Sequence, residues 1–303
     1  MESFNNQFLY SVLIIALGYI LKRSNILKES DGEGLARIIF NITLPTLIIV
    51  TFNEIQFESS LFILILIAII YGLFSGLLGI LVFKNESRKT KGMLAMMVPG
   101  FNIGLFAFPL VEGIWGHEGI EFFGMFDIGN SFIVFGLSYL IGSFYSEDKV
   151  TFNFKRILGK VSKSIPLITY IIVCFLNSVG LKLPEIVVDV SGIVSVANMP
   201  LSLLLLGIYL NFSFEKGYGK LIAKLLTVKY VTGLGIGILL FVFLPFEATF
   251  KYMLLIALIL PISASVLPYS VEFGYNRRFV GTVSNLTIII SFGLIWLITN
   301  IIM

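Results

Sequence analysis

The charged residues of this chain fall in clusters, and between the clusters lie ten apolar stretches: 3–21, 38–53, 59–83, 92–111, 122–146, 164–181, 190–214, 230–246, 252–271 and 279–303. Each is 16 to 25 residues long, and about 20 apolar residues carry a helix across the hydrocarbon core. Only one stretch has an ionisable acid or base well inside it, Asp127. Charged residues make up 13% of the 303 residues, against about 25% in soluble domains. The pattern therefore predicts an all-α integral membrane protein with ten transmembrane helices, whose short loops leave no room for a soluble domain.

Basic residues fix the orientation. The gaps after the odd-numbered spans hold 17 of the 21 Lys and Arg residues, among them Lys22, Arg88, Lys155, Lys220 and Arg277. The opposite gaps hold only Lys182 and Lys251, while Arg37 and Lys229 are read as helix-end residues that snorkel on the basic side. Short basic loops stay cytoplasmic, so both termini are expected outside the cytoplasm, in a multi-pass protein of the plasma membrane. No basic region precedes the first stretch, which is read as a retained helix. Cys174, alone of its kind, allows no internal disulfide and is read as packing.

The longest basic connection divides the chain into a first five-helix repeat at 1–148, a cytoplasmic loop at 149–163 and a second five-helix repeat at 164–303. An odd number of spans per half means that two like halves insert in opposite orientations, as in many secondary transporters. Motifs recur at matching places: Asn41 and Pro45 in span 2 against Asn198 and Pro200 in span 7, and Asn130 in span 5 against Asn285 in span 10. Spans 4 and 9 combine proline with small polar residues, Asn102, Gly104 and Pro109 in one and Pro261, Ser263 and Ser265 in the other. Proline removes a backbone donor and interrupts the helix, and in lipid the freed groups persist only where protein, water or ligand satisfies them. The fold expected is thus two inverted five-helix repeats with broken crossing helices 4 and 9.

Two half-helices that start near Asn102 and Ser263 would aim backbone N–H groups and positive dipole ends at one cavity, a setting for a carboxylate. With no Lys or Arg read near mid-membrane, helix ends supply the positive potential. Asn41, Pro45, Asn102, Gly104, Pro109, Asn198, Pro200, Pro261, Ser263 and Ser265 form the expected substrate-binding set. Asp127, with Asn130 and Asn285, is the expected coupling-ion set, since intramembrane carboxylates default to function. Glu112 and Glu272 are read as solvated helix ends, and His117 as an external loop residue.

These motifs together resemble the auxin efflux carrier family, which includes bacterial malate and malonate permeases. Asn102-Ile-Gly104-Leu-Phe-Ala-Phe-Pro109 followed by Trp115-Gly116 is similar to the family's span 4 signature. Ala197-Asn-Met-Pro200 with its run of leucines to Gly207 is similar to the span 7 motif, and Pro261 with Phe273-Gly274 to that of span 9. The resemblance implies a crossing of spans 4 and 9, a scaffold part, a mobile part and a homodimer, and it gives Asn102, Pro109 and Pro261 a binding role. Ser265 stands where bacterial relatives often carry Asn, Phe101 where plant carriers have Pro, and Pro268 is additional.

A secondary carrier for a small organic anion, working by alternating access and either coupled to protons or sodium or uniporting, is the function these features favour. A cation/proton antiporter, a sodium–bile-acid-type symporter and a membrane sensor without transport stay open as alternatives. An intramembrane enzyme lacks a catalytic set: no second intramembrane aspartate, no histidine pair, no Ser/His partnership. No cofactor and no nucleic acid partner is expected; the lipid bilayer is, with a bound sodium ion where sodium is the coupling ion.

Overall fold

In a computed structural model, residues 2–53, 55, 59–146, 159, 164–212 and 217–302 are described. The expected connecting loop at 149–163 and Lys216 lie outside the described residues, apart from Gly159. The described residues form helices α1 (Glu2–Arg23), α2 (Glu29–Ile38), α3 (Leu44–Phe52), α4 (Ser59–Val82), α5 (Arg88–Ala95), α6 (Phe108–Phe132) and α7 (Tyr139–Tyr145). After the connection come α8 (Ile165–Ser178), α9 (Glu185–Ser195), α10 (Asn198–Tyr209), α11 (Gly219–Phe243), α12 (Ala248–Ala257), α13 (Val266–Glu272) and α14 (Arg277–Ile302).

Seven helical stretches among these residues are long and apolar enough to cross a bilayer. The chain is accordingly a multi-pass membrane protein. Seven is fewer than the ten apolar stretches of the sequence for a physical reason. Helices α5, α8 and α12 have 8, 14 and 10 residues and are too short to count alone. One run, Ile103–Tyr145, extends over 43 residues and bends at Gly116, whose φ of 58° lies in the left-handed region.

Side-chain pattern shows which face of a helix meets lipid. On α4, Phe62, Leu66, Ile70, Leu73, Leu77 and Leu81 are all exposed, three or four residues apart. The opposite face buries Leu64, Ala68, Tyr71 and Ser75. Such an inverted stripe suits a helix whose solvent is hydrocarbon, with small and polar groups turned inward.

Two compact units emerge, each drawing on both halves of the sequence: residues 1–63, 103–128 and 162–210 in the first, and 64–102, 129–161 and 211–303 in the second. In the first unit α1 packs along α10 at backbone distance. A Cβ on Gly18 would fall 2.2 Å from the Leu204 carbonyl oxygen, and one on Gly207 would fall 2.0 Å from that of Ile15. Only glycine permits this approach. The end of α3 is held by Asn177, whose Nδ2 donates to the carbonyls of Phe52, Asn53 and Ile55 at 3.1, 3.3 and 3.0 Å.

In the second unit α11 carries one buried stripe, Leu225, Lys229, Gly233 and Gly237, four residues apart, and the two glycines of that stripe lie against Leu258 and Leu255 at the α12 side. A Cβ on Gly233 would come within 2.2 Å of the Leu258 carbonyl oxygen, where α12 has just ended. The core beneath is aromatic: Tyr139, Tyr269 and Phe273 pack with ring centroids 5.0 to 6.1 Å apart.

Candidate functional site

Two spans are interrupted inside the second unit. Helix α5 begins at a Ser87 cap, whose Oγ accepts from the Thr90 N–H, and stops at Ala95. Pro99 then lacks the N–H that a continuing helix needs. Gly100 follows with a φ of 81°, a conformation that disfavours any side chain, and its missing Cβ would sit 2.7 Å from Val134. Helix resumes only at Ile103, with a π-turn to Ala107 just before Pro109. The second interruption separates α12 from α13, over residues 258–265 around Pro261.

The two interruptions meet. Phe101 and Ile262 form an antiparallel bridge, and the Asn102 N–H donates to the Pro261 carbonyl at 3.0 Å. Other spans satisfy further backbone groups of the two breaks. Asn130 clamps the first break: its Oδ1 accepts from the Phe101 N–H at 2.8 Å and its Nδ2 donates to the Phe101 carbonyl at 3.1 Å. Ser138 Oγ donates to the Pro99 carbonyl at 3.3 Å. The second break is clamped by hydroxyls of α14. Thr287 Oγ1 accepts from the Ile262 N–H at 3.1 Å, and Ser291 Oγ donates to the Ile259 carbonyl at 2.6 Å. Tyr230 of α11 completes that network, its hydroxyl 2.7 Å from the Thr287 carbonyl and 2.9 Å from Ser291 Oγ. Broken backbone in a membrane protein persists on such terms.

Next to the bridge lies Lys229. Only 2% of it is exposed, and its Nζ has no hydrogen-bond partner among the described residues. The nitrogen sits 4.4 Å from the centroid of the Phe101 ring, which stacks on Tyr71 at 5.6 Å. Burying an ionised amine costs several kcal/mol even after relaxation, and a desolvated ring face returns only about 2 kcal/mol. The protein's own atoms therefore leave this group's surroundings incomplete.

This corrects the reading of Lys229 as a snorkelling helix-end residue and, with it, the expectation that no cation lies inside the helical core. The error came from treating every cation as a span boundary. Helix α11 begins at Gly219, so Lys229 is ten residues, about 15 Å, along it. The spacing of Gly233 and Gly237 from Lys229 was the available signal, since glycines at that interval mark a packing face. Arg37, by contrast, is exposed. Glu112 lies one turn before the Gly116 bend, near a helix end as read, but it is half-buried, with Oε2 buried and without a hydrogen-bond partner among the described residues. Glu272 ends α13 as expected, where Oε1 accepts from the Tyr139 hydroxyl at 2.5 Å. His117 is exposed just after the Gly116 bend.

The sequence-derived residues divide between the units. Asn102, Pro261 and Ser263 gather buried at the meeting of the breaks in the second unit, with Ser265 half-buried beside them. Ser263 Oγ accepts from the Ser265 N–H at 3.3 Å. Asn130 and Asn285 belong to the same unit; Asn285 Nδ2 donates to the Asn211 carbonyl at 2.8 Å. Asn41, Pro45, Gly104, Pro109, Asp127, Asn198 and Pro200 belong to the first unit. There Thr43 Oγ1 donates to Asn198 Oδ1 at 3.0 Å, while Asn198 Nδ2 and the Ser202 hydroxyl are buried and unpartnered among the described residues. Gly104 packs beside Phe40 and Leu44, Pro45 and Pro109 are buried, and Pro200 is exposed. Asn41 is exposed, its Nδ2 donating to the Arg37 carbonyl at 2.7 Å. Thr287, Ser291, Tyr230 and Tyr71 carry no motif in the sequence and become visible only through their contacts.

Interrupted spans whose backbone is held by neighbouring helices are a transporter's arrangement. The chain belongs to the membrane transport protein family, whose model matches residues 6–299; this is the auxin efflux carrier-like family that its motifs resemble. It is 27% identical over 210 residues to an uncharacterized transporter of Methanocaldococcus jannaschii, covering 66% of this chain and 67% of that one. It is 29% identical over 208 residues to an uncharacterized transporter of Methanothermobacter thermautotrophicus, covering 67% of each.

Proposed function

We propose that this transporter is a secondary carrier for a small organic anion, a carboxylate, which it holds where the two interrupted spans meet and moves by alternating access. The observation that carries the reading is the backbone junction itself, the Phe101–Ile262 bridge with the Asn102–Pro261 hydrogen bond. The junction gathers the buried polar side chains of Asn102 and Ser263.

Inverted repetition of the two halves is part of the proposal. Thr43 and Asn198, in contact, are 155 residues apart, the same separation as Pro45 from Pro200. Asn102 and Pro261, also in contact, are 159 apart. Contacts between residues at near-equal offsets are what two halves of one fold would make, so they support inverted halves. Both termini outside, location in the plasma membrane, a homodimer and coupling to protons or sodium through Asp127 complete the reading.

Proteoliposomes test it. Labelled acetate, lactate, malonate and malate are offered with and without imposed proton and sodium gradients. Accumulation of at least one, lost in Asn102→Ala, is expected. Absence of uptake of every one of them by folded protein would overturn the carboxylate assignment.

A further inference from the structure

We propose that Lys229 is the fixed cation of the substrate site, its amino group binding the carboxylate directly at the junction of the two broken spans. The inference rests on the anion-carrier reading and supplies the positive point charge that the sequence had left to helix ends. Three features of the geometry support it. Lys229 is on the packing stripe of α11 between Leu225 and Gly233, so its stem runs into the protein and away from lipid. Its Nζ is buried and, among the described residues, meets no acceptor. Its neighbour is the ring of Phe101, the residue that forms the bridge between the breaks.

The ring and its backing constrain where a ligand arrives. Tyr71 stacks on Phe101, and Asn130 grips the Phe101 backbone on both sides, so the ring is a fixed wall under the nitrogen. A lysine head carries three donors, and a carboxylate offers about four lone-pair sites to receive them. An alkali cation is the wrong occupant beside an ammonium, because like charges repel at this range. A lysine also binds as a point charge, without the planar fork through which arginine dictates carboxylate orientation. Small carboxylates of different shape are therefore accepted by Lys229, with Asn102 and Ser263 left to discriminate among them.

The test follows thermal unfolding of the full chain in lipid nanodiscs for wild type, Lys229→Met, Lys229→Gln, Lys229→Arg and Asn102→Ala. Each is measured alone and titrated with acetate, lactate, malonate or malate, with malonamide as the uncharged control. Wild type is expected to be stabilised by at least one carboxylate and not by malonamide. Its apparent affinity is expected to fall about tenfold or more in Lys229→Met and Lys229→Gln and to be largely kept in Lys229→Arg. Without ligand, Lys229→Met is expected to unfold at a higher temperature than wild type, because a group held for function is released from an unfavourable site. Unchanged carboxylate affinity in Lys229→Met or Lys229→Gln overturns the inference. Failure of both to fold while Lys229→Arg folds also overturns it, by assigning the amine to a structural contact with Phe101. If Asn102→Ala loses the response and Lys229→Met keeps it, the Lys229 assignment falls and the anion-site reading stands. If no carboxylate stabilises wild type, both fall.

Discussion

The two interruptions solve the same problem with different chemistry. At the first, one carboxamide, that of Asn130, holds both polar groups of Phe101. At the second, two hydroxyls of α14, from Thr287 and Ser291, hold one group each, on Ile262 and Ile259, and Tyr230 ties those hydroxyl-bearing residues together. The first clamp places two of its three bonds in one side chain, with Ser138 adding one to the Pro99 carbonyl, and the second spreads its bonds over a network. Concentrated clamping is fragile to one substitution; distributed clamping tolerates one and fails by degrees.

The largest effect is therefore expected from Asn130→Ala. It orphans two buried backbone groups, each costing about 1–3 kcal/mol, and a nanodisc melting curve should show a deep loss of stability. Asn130→Asp keeps an acceptor for the Phe101 N–H and should recover part of it. Thr287→Val and Ser291→Ala each orphan one backbone group, so each should cost about half as much on the same measurement. A Ser291→Ala variant as unstable as Asn130→Ala would break the comparison.

Smaller still in stability, and larger in function, are the residues between the clamps. Asn102→Ala and Ser263→Ala should each weaken carboxylate binding by about 0.5–3 kcal/mol in equilibrium titrations while leaving the melting curve near that of wild type. Equal losses of binding and stability would place them with the clamps. The smallest structural effect is expected at Asp127, one helical turn before Asn130. The position 155 residues on, Thr282, bears a buried hydroxyl where Asp127 bears a carboxylate. Asp127→Asn should keep the fold and remove the dependence of uptake on a proton or sodium gradient; retained dependence would assign the carboxylate to structure.

Much of this was legible in the sequence because proline and small polar residues have few other reasons to share an apolar span. Asn102, Pro261 and Ser263 marked both interruptions without any knowledge of contacts. The clamps were not legible. A serine or threonine in a membrane helix more often bonds its own preceding turn, as Thr299 does to the Ile295 carbonyl, and nothing local separates Ser291 from that habit. Asn130 was placed in the expected coupling-ion set, and nothing in the sequence shows that its carboxamide holds Phe101. Lys229 was hidden by a boundary rule that holds for most cations and fails for one lodged among glycines on a packing stripe. The two compact units were hidden as well, since each collects segments from both sequence halves and linear order carries no signal for such interleaving.

The central claim is that a carboxylate sits where the broken spans meet, and anomalous scattering from crystals grown with bromosuccinate locates such a ligand without assumptions. The account predicts a bromine peak within a few ångströms of the Asn102–Pro261 junction, lost when Lys229→Met protein is crystallised in the same way. An ordered bromosuccinate remote from Asn102, Pro261 and Lys229 would contradict it.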